Sequence, residues 1–202
     1  MISTTSRTGK NRADLKRPLA EYRYKIFIEQ LGWQLPTKDG LEQDDFDSDE
    51  TLYVVGQSED NTICGCARLL STSSPYLLSE VFPFLMGTAK PPCSDRIWEL
   101  SRFSVNRLTS SHRAIIDVEE STRVMLAASI ACAMEHGAER LITVSPLGIE
   151  RLLLRMGVNA HRAGPPQRVD GKPIFACWIE IDQQTKDALH MSAASQELMA
   201  LA

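Results

Sequence analysis

Charged and aromatic side chains recur at short, fixed spacings in the first half of this 202-residue chain. They form three groups: Arg23 and Phe27 leading to Trp33, Asp44 with Asp47, and Glu99 with Arg102. Carboxylates can hold a positively charged amine, and aromatic faces can contact the same cation. The groups together predict one polar pocket with aromatic walls for a charged, amine-bearing substrate. Taken singly, an acidic run is more often solvated surface, and a lone aromatic residue is more often core.

The composition is that of an enzyme-sized globular chain. Its length allows one domain with a full core, so we expect a single domain over residues 1–202. The net charge of −4 argues against a protein that mainly binds nucleic acid. The five cysteines have no zinc-like spacing, which indicates reduced, mostly buried thiols, no metal site and a cytoplasmic protein. Residues 1–12 are predicted to be a flexible N-terminus and residues 183–202 a peripheral C-terminal segment, and no stretch predicts a membrane span.

Hydrophobic spacing and breaker residues predict alternating strands and helices. Helices are predicted over residues 14–31, 117–136 and 147–156, each followed by a glycine. Strands are predicted at 51–57, 62–70, 98–105, 141–144, 159–162 and 174–181, and residues 34–50 are predicted to be an acidic loop. This order predicts an α/β sandwich with a central mixed, mostly antiparallel sheet and helices on both faces.

The predicted order of elements resembles the GCN5-related acyltransferase fold, whose members hold a pantetheine arm where two central strands splay apart. Most of those enzymes bind the coenzyme A pyrophosphate with a glycine-rich turn at a helix N-terminus. The corresponding segment here, residues 106–113, contains no glycine. An acyl carrier protein presents pantetheine with a single phosphate, so the missing turn favours a carrier-protein donor over free coenzyme A.

Four segments also resemble the acyl-homoserine-lactone synthases of the LuxI type. They are YRYKIFIEQLGW at 22–33, DDFD at 44–47, CARLL with PYLL at 66–70 and 75–78, and WELSRF at 98–103. The similarity covers about residues 15–181. It implies synthesis of an N-acyl-homoserine lactone quorum-sensing signal from S-adenosylmethionine and an acyl-[acyl carrier protein], by N-acylation and then lactonisation. Methylthioadenosine and holo-carrier protein are the expected by-products, and no cofactor is implied because S-adenosylmethionine is a substrate.

The resemblance also implies roles for individual residues. The residues expected to bind S-adenosylmethionine are Arg23, Phe27, Trp33, Asp44, Asp47, Arg68 and Arg102. The residues expected to act in catalysis are Glu99, Arg102 and Asp47. Because Arg68 lies in an apolar strand, where an unpaired charge is costly, we expect it to pair with one of the aspartates.

Glu99 is the candidate base for the acyl transfer. The reacting nitrogen must be neutral, whereas a free α-amino group has a pKa of roughly 8. A carboxylate could remove that proton directly or through water. The alternative is a structural ion pair between Glu99 and Arg102. Residues three apart on a regular strand face opposite ways, so a shared pocket requires a bulge between them.

The acyl donor has two candidate contact regions. Plausible walls of an acyl-chain pocket, for which core packing is the stronger explanation, are Phe82, Met125, Leu141 and Leu152, and Thr143 is a further candidate. By resemblance, a hydroxyl at Thr143 favours 3-oxo acyl chains. Arg151 and Arg155 lie one helical turn apart, with Arg107 and Arg113 upstream, and could form a basic patch for an acidic carrier protein or be an ordinary charged helix face.

Two other functions fit the same sequence. One is an acyl-coenzyme A-dependent N-acyltransferase of the same fold that acts on another amine. The other is a catalytically inactive small-molecule binding or regulatory protein. The missing glycine-rich turn argues against the first, and the intact Glu99, Arg102 and Asp47 argue against the second.

Overall fold

The structure, a computed structural model, describes residues 3–8, 14–106 and 118–191. One eight-stranded sheet has the order β1-β4-β5-β6-β7-β10-β8, and β9 also pairs with β10. Its strands are β1 (Ser3–Thr8), β4 (Leu52–Gln57), β5 (Ile63–Ser71), β6 (Ile97–Val105), β7 (Arg140–Pro146), β8 (Ala160–Arg162), β9 (Gln167–Val169) and β10 (Lys172–Glu180). All pairs are antiparallel except β6 with β7. The predicted mixed, mostly antiparallel sheet is therefore confirmed.

The helices begin and end close to where the sequence predicts. They are α1 (Lys16–Arg23), which continues as a π-helix over Tyr24–Gln30, then α2 (Leu77–Glu80), a 3₁₀ turn (Pro83–Met86), α3 (Val118–Glu135), α4 (Leu147–Arg155) and α5 (Gln183–Ala188). Gly137 follows α3 with a φ of +85° and Gly157 follows α4 with a φ of +83°. Glycine adopts this left-handed conformation at little cost, so it ends a helix readily. No helix among the described residues is long and apolar enough to cross a membrane.

Helices cover both faces of the sheet, and successive strand residues contribute to opposite faces. On the α1 face, Tyr53, Val55 and Cys66 pack under α1 and the π-helix. On the α3 face, Leu52, Val54, Ala67 and Leu69 pack in the main core with residues of α3 and α4. The α1 face continues beyond β6 as a further cluster under α2 and the 3₁₀ turn.

The sheet opens between its two central strands. β6 and β7 pair in parallel from Ile97 with Arg140 to Glu99 with Ile142, and no further residue pair joins them. Both strands nevertheless continue, β6 to Val105 and β7 to Pro146. The backbone groups that face this gap are available to a bound chain. The splayed pair that the fold resemblance implies is therefore present.

Two expectations about irregular segments were wrong. Residues 1–12 were expected to be loose, whereas Ser3–Thr8 pair with β4 as an edge strand, because β4 offers an open edge. Residues 34–50 were expected to be a loop, but they contain a small hairpin of β2 (Thr37–Lys38) and β3 (Leu41–Glu42). The predicted peripheral C-terminal segment begins with α5, and its residues 192–202 lie outside the described part. The single domain over residues 1–202 stays a prediction.

Candidate active site

A bulge in β6 brings Glu99 and Arg102 to the same face of the sheet. Arg68 pairs with Ser101 and Cys66 pairs with Ser104, so β6 holds one residue more than β5 over this interval. Arg102 has a φ of +50°, the left-handed conformation, which is uncommon for a residue with a side chain. The extra residue turns Arg102 toward the α1 face beside Ser101. The bulge that a shared pocket requires is therefore present.

Six charged side chains meet on the α1 face. They are three arginines and three carboxylates: Arg23, Arg68, Arg102, Glu42, Asp44 and Asp47. Each arginine contacts two of the carboxylates, and each carboxylate contacts two of the arginines. This charged cluster is balanced in sign, which is how a buried group of charges avoids the cost of an uncompensated one.

Two of the arginines pair with Asp47. The nitrogen Nη1 of Arg23 lies 2.8 Å from Asp47 Oδ1, and Arg68 Nη1 lies 3.3 Å from the same oxygen. Burial alone would raise the pKa of Asp47, but the charges of Arg23 and Arg68 hold it below its usual range. Arg68 also lies 2.5 Å from Asp44, so the predicted pairing of Arg68 with an aspartate is confirmed.

The two aspartates are fixed by their own loop. Asp47 Oδ2 accepts a hydrogen bond of 2.8 Å from the backbone N–H of Asp44, and Asp44 Oδ1 accepts one of 3.0 Å from Phe46. The hydroxyl of Tyr53 donates to Asp47 Oδ1. Only 12% of the Asp44 side chain and 4% of the Asp47 side chain are exposed. The solvated-surface interpretation therefore does not hold for these two residues.

Two arginine nitrogens in the cluster have unused hydrogen-bonding capacity. Arg23 Nη2 and Arg68 Nη2 are buried and have no hydrogen-bond partner among the described residues. A buried N–H group without a partner is costly, and guanidinium groups bind carboxylates well. The cluster can therefore supply these donors to an anionic group of a ligand.

Aromatic rings form a wall of the site. Phe27 and the half-buried Trp33 stack with their ring centres 4.9 Å apart. The guanidinium carbon of Arg102 lies 5.8 Å from the centre of the Phe27 ring, and that of Arg68 lies 5.7 Å from the centre of Phe46. The structure thus places Phe27 and Trp33 together beside the charged cluster, as the sequence predicts.

Glu99 is held by backbone groups and not by an arginine. Its carboxylate accepts hydrogen bonds from the N–H groups of Leu78 at 2.7 Å and Leu77 at 3.0 Å, at the start of α2. Arg102 contacts Glu42 and Asp44 instead, so the alternative of an ion pair between Glu99 and Arg102 is wrong. Burial raises the pKa of Glu99 to about 7, although the two N–H bonds and the charge of Arg68 oppose this rise. A carboxyl group with this pKa can exchange a proton near neutral pH.

Sequence reasoning missed Glu42. Its side chain is fully buried, 2.5 Å from Arg23 and 3.0 Å from Arg102. In the sequence it belongs to an acidic run whose other members include the exposed Asp49 and Glu50. No local signal distinguishes it from those neighbours, and with Asp44, Asp47 and Glu99 the three arginines already had three candidate carboxylates. Only the finding that Glu99 is held by backbone N–H groups shows that a third carboxylate is needed.

The expected acyl-pocket residues divide between the two faces. Met125, Leu141 and Leu152 lie together in the main core on the α3 face, and the buried Thr143 follows Leu141 on that side of β7. Phe82 lies in the cluster under α2 with Ile142 and Val144. Successive residues of β7 face opposite ways, so the structure does not bring Phe82 together with the other four. The grouping of Phe82 with them is corrected.

The expected basic patch on α4 is partly neutralised. Arg151 is exposed, whereas Arg155 lies 2.8 Å from Glu119 and the nearby Arg162 lies 2.6 Å from Glu150. Arg107 and Arg113 lie outside the described residues. Of the five cysteines, Cys93 is exposed and the other four are buried, as predicted. No group of residues that could hold a metal ion occurs in the described ranges.

Three comparisons place this geometry among known proteins. The family model of autoinducer synthases matches residues 6–189. An acyl-homoserine-lactone synthase of Ralstonia nicotianae is 49% identical over 179 residues, which are 88% of this chain and 87% of that protein. The crystal structure of TofI in a ternary complex with an inhibitor and MTA is 45% identical, with a TM-score of 0.83 and coverage of 95% of this chain and 98% of that one. MesI, a CoA-dependent acyl-homoserine lactone synthase, is 26% identical, with a TM-score of 0.76 and coverage of 95% and 94%.

Proposed function

The chain belongs to the autoinducer synthase family and is an enzyme of the acyl-homoserine-lactone synthase type, and from this premise we propose its substrates and the roles of its residues. The proposed reaction transfers an acyl group from an acyl carrier protein to the amino group of S-adenosylmethionine. The acylated product then closes to the lactone and releases methylthioadenosine. The reaction takes place in the cytoplasm and needs no metal or cofactor.

One observation carries the proposal: Glu99 lies where the two central strands separate. Glu99 and Ile142 form the last residue pair between β6 and β7, and the gap begins directly beyond them. A thioester that enters this gap brings its carbonyl carbon close to a carboxylate whose pKa is about 7. The reaction is much faster when the base and the thioester are held at one point than when the same groups are free in solution.

The charged cluster and its aromatic wall suit S-adenosylmethionine. The substrate carboxylate takes the free donors Arg23 Nη2 and Arg68 Nη2. Asp44 and the ring of Trp33 receive the ammonium and sulfonium groups, which are both cationic. Arg102, whose guanidinium group lies over the Phe27 ring, also binds S-adenosylmethionine. Glu42 and Asp47 keep the arginines in place.

The first step forms an amide and breaks a thioester. Glu99 accepts a proton from the ammonium group, and the free amine attacks the thioester carbonyl. Backbone N–H groups that face the gap between β6 and β7 stabilise the negative oxygen of the intermediate. The carrier thiolate then leaves and takes up a proton, which gives the holo-carrier protein.

The second step forms the lactone. The substrate carboxylate attacks the γ-carbon of the same molecule and displaces the sulfonium sulfur, so methylthioadenosine leaves as a neutral molecule. A five-membered ring closes readily when the chain is already folded. The protein therefore needs only to hold the acylated substrate with its carboxylate near that carbon.

Thr143 and Ser145 favour an acyl chain that carries an oxygen at its third carbon. Their hydroxyl oxygens are buried and lie 3.3 Å apart, which is their one side-chain hydrogen bond to the described residues. Each hydroxyl has one proton, so the pair keeps one donor for another acceptor. Both residues lie on β7 beyond the last pair with β6, beside the gap. A 3-oxo group could accept this hydrogen bond.

Free acyl-coenzyme A is the second candidate donor, because the coenzyme A-dependent MesI shares the fold and 26% of the sequence. The experiment mixes purified protein with S-adenosylmethionine and two matched panels, acyl carrier protein thioesters and acyl-coenzyme A thioesters. Mass spectrometry then detects lactone and methylthioadenosine. We expect both products with the carrier protein panel at a kcat/KM about tenfold or more above the coenzyme A panel. Neither product with any donor would refute the proposed function, and a preference for coenzyme A would reassign the donor.

A further inference from the structure

A short chain of buried and half-buried polar side chains lies beside the bulge that carries Arg102. The thiol of Cys66 donates to the backbone carbonyl oxygen of Arg102, with a sulfur to oxygen distance of 3.0 Å. The same sulfur lies 3.4 Å from the hydroxyl of Ser104, which donates to the hydroxyl of Tyr22 at 3.3 Å. Only 1% of Cys66 is exposed. Packing as a small apolar residue does not account for three polar contacts in a row.

The bulge needs such a donor. Arg102 is held at a φ of +50°, which costs free energy for a residue with a side chain. The extra residue also shifts the register between β5 and β6, and the Arg102 carbonyl accepts a hydrogen bond from the Cys66 side chain at this point. A buried carbonyl without a donor would destabilise this conformation. Burial raises the pKa of Cys66 to about 11, so the thiol keeps its proton at neutral pH.

The side chain of Arg102 depends on the same backbone conformation. Its guanidinium group reaches Glu42 at 3.0 Å and Asp44 at 2.7 Å only because the bulge turns it to the α1 face. At its other end the polar chain reaches Tyr22 on α1, the residue directly before Arg23. The chain therefore links the strand that carries Arg102 to the helix that carries Arg23.

We propose that Cys66 is a positioning residue of the active site: its S–H···O bond to the Arg102 carbonyl holds the bulge that presents Arg102 to S-adenosylmethionine. The inference rests on the proposed function where it assigns Arg102 to substrate binding. Cys66 does not contact the reacting atoms and does not act as a nucleophile. Its role is to fix the backbone from which a binding residue projects.

Steady-state kinetics of three variants test this role. Cys66→Ala removes the donor, and we expect the KM for S-adenosylmethionine to rise about tenfold, equivalent to about 1.4 kcal/mol, while kcat changes less than about twofold. Cys66→Ser keeps an O–H donor and is expected to restore most of the KM. Cys64→Ala is the matched control, since Cys64 also lies in β5 with 1% of its surface exposed and its thiol donates no hydrogen bond to β6 among the described residues. If Cys66→Ala and Cys64→Ala changed the KM equally, Cys66 would contribute only packing and the proposal would be wrong.

Crystal structures of the wild-type protein and Cys66→Ala provide a readout that does not depend on activity. We expect Arg102 in the variant to leave the left-handed conformation and its guanidinium group to lose contact with Glu42. An unchanged Arg102 in the variant would overturn the inference, even if the enzyme were active. Conversely, a shifted Arg102 in a protein that makes no lactone would support the positioning role of Cys66 and refute only the proposed function.

Discussion

Glu42 and Arg102 lie 60 positions apart in the sequence and form a buried ion pair, with Glu42 Oε1 3.0 Å from Arg102 Nη2 and 3.2 Å from its Nε. The other carboxylate oxygen of Glu42 lies 2.5 Å from Arg23 Nε. One carboxylate thus joins the helix that carries Arg23 to the strand that carries Arg102. The six-membered charged cluster depends on this link for its charge balance.

Replacement of Glu42 should therefore damage both folding and activity. Glu42→Gln keeps the size but leaves a positive charge uncompensated, so we expect the free energy of unfolding to fall by about 3 kcal/mol. We also expect kcat/KM for S-adenosylmethionine to fall more than about tenfold. Urea denaturation and steady-state assays measure the two effects. Glu50→Gln, an exposed residue after the same hairpin, is the control and should behave as wild type. Equal behaviour of the two variants would contradict the assigned role of Glu42.

Glu99→Gln should separate the chemistry from the fold. The amide can no longer accept a proton, so we expect kcat to fall by about 10²- to 10⁴-fold. In the wild-type protein kcat/KM, which reports the groups of the free enzyme, should rise with pH through a group with a pKa of about 7, and the variant should lose that dependence. The measurement is a pH–rate profile for each protein between pH 5 and 9. A variant that keeps the same profile would show that another group takes the proton.

The raised pKa of Glu99 also predicts a dependence of stability on pH. The folded protein holds this proton up to a pH of about 7, whereas the usual value is 4.5. The wild type should therefore lose stability relative to Glu99→Gln as the pH rises from 4.5 to 7, by about 3 kcal/mol in total. Urea denaturation of both proteins at pH 5 and pH 8 measures the difference. The opposite sign would mean that the folded state favours the charged carboxylate.

Reversal of the charge at Arg151 tests the carrier-protein surface. Arg151 is exposed on α4, and the neighbouring Arg155 is already paired with Glu119. We expect Arg151→Glu to raise the KM for acyl carrier protein about fivefold, more at low salt, and to leave the KM for S-adenosylmethionine unchanged. Lys16→Glu makes the same charge change at an exposed position of α1. Matching effects of the two variants would indicate a response to net charge and not a docking site.

The hydroxyl pair on β7 predicts a change in acyl preference. Thr143→Val keeps the shape but removes one hydroxyl of the pair that retains a donor. We expect the ratio of kcat/KM for 3-oxo over unsubstituted acyl donors of equal length to fall about fivefold. Competition assays with both donors in one tube measure this ratio directly. An unchanged ratio would remove these hydroxyls from substrate recognition.

Hydrophobic periodicity and glycine positions were sufficient to predict the helices, the main strands and the mixed sheet. The ends of α3 and α4, for instance, follow directly from Gly137 and Gly157. The need for a bulge between Glu99 and Arg102 was also predictable, because two pocket residues three apart cannot share a face of a regular strand. Local rules succeed here because each feature depends on neighbouring residues.

The remaining features depend on contacts between distant segments. Glu42 looks like one acid among several until the fold brings Arg23 and Arg102 to it. Phe82 looks suited to an acyl pocket until the alternation of β7 places it on the other side from Leu141. The partner of Glu99 could not be foreseen, because a backbone N–H is the same for every residue type except proline.

The way Glu99 is held defines which sequence changes its environment can tolerate. Its two hydrogen bonds come from the main chain of Leu77 and Leu78, so other side chains at these positions leave the bonds intact. A proline at either position removes a donor, and a deletion between β5 and α2 shifts both donors away from the carboxylate. Burial raises the proton affinity of this base, and the backbone path from Ser71 to Leu77 supplies two of the hydrogen bonds that limit the rise. A change in loop length would therefore raise the pKa of Glu99 further.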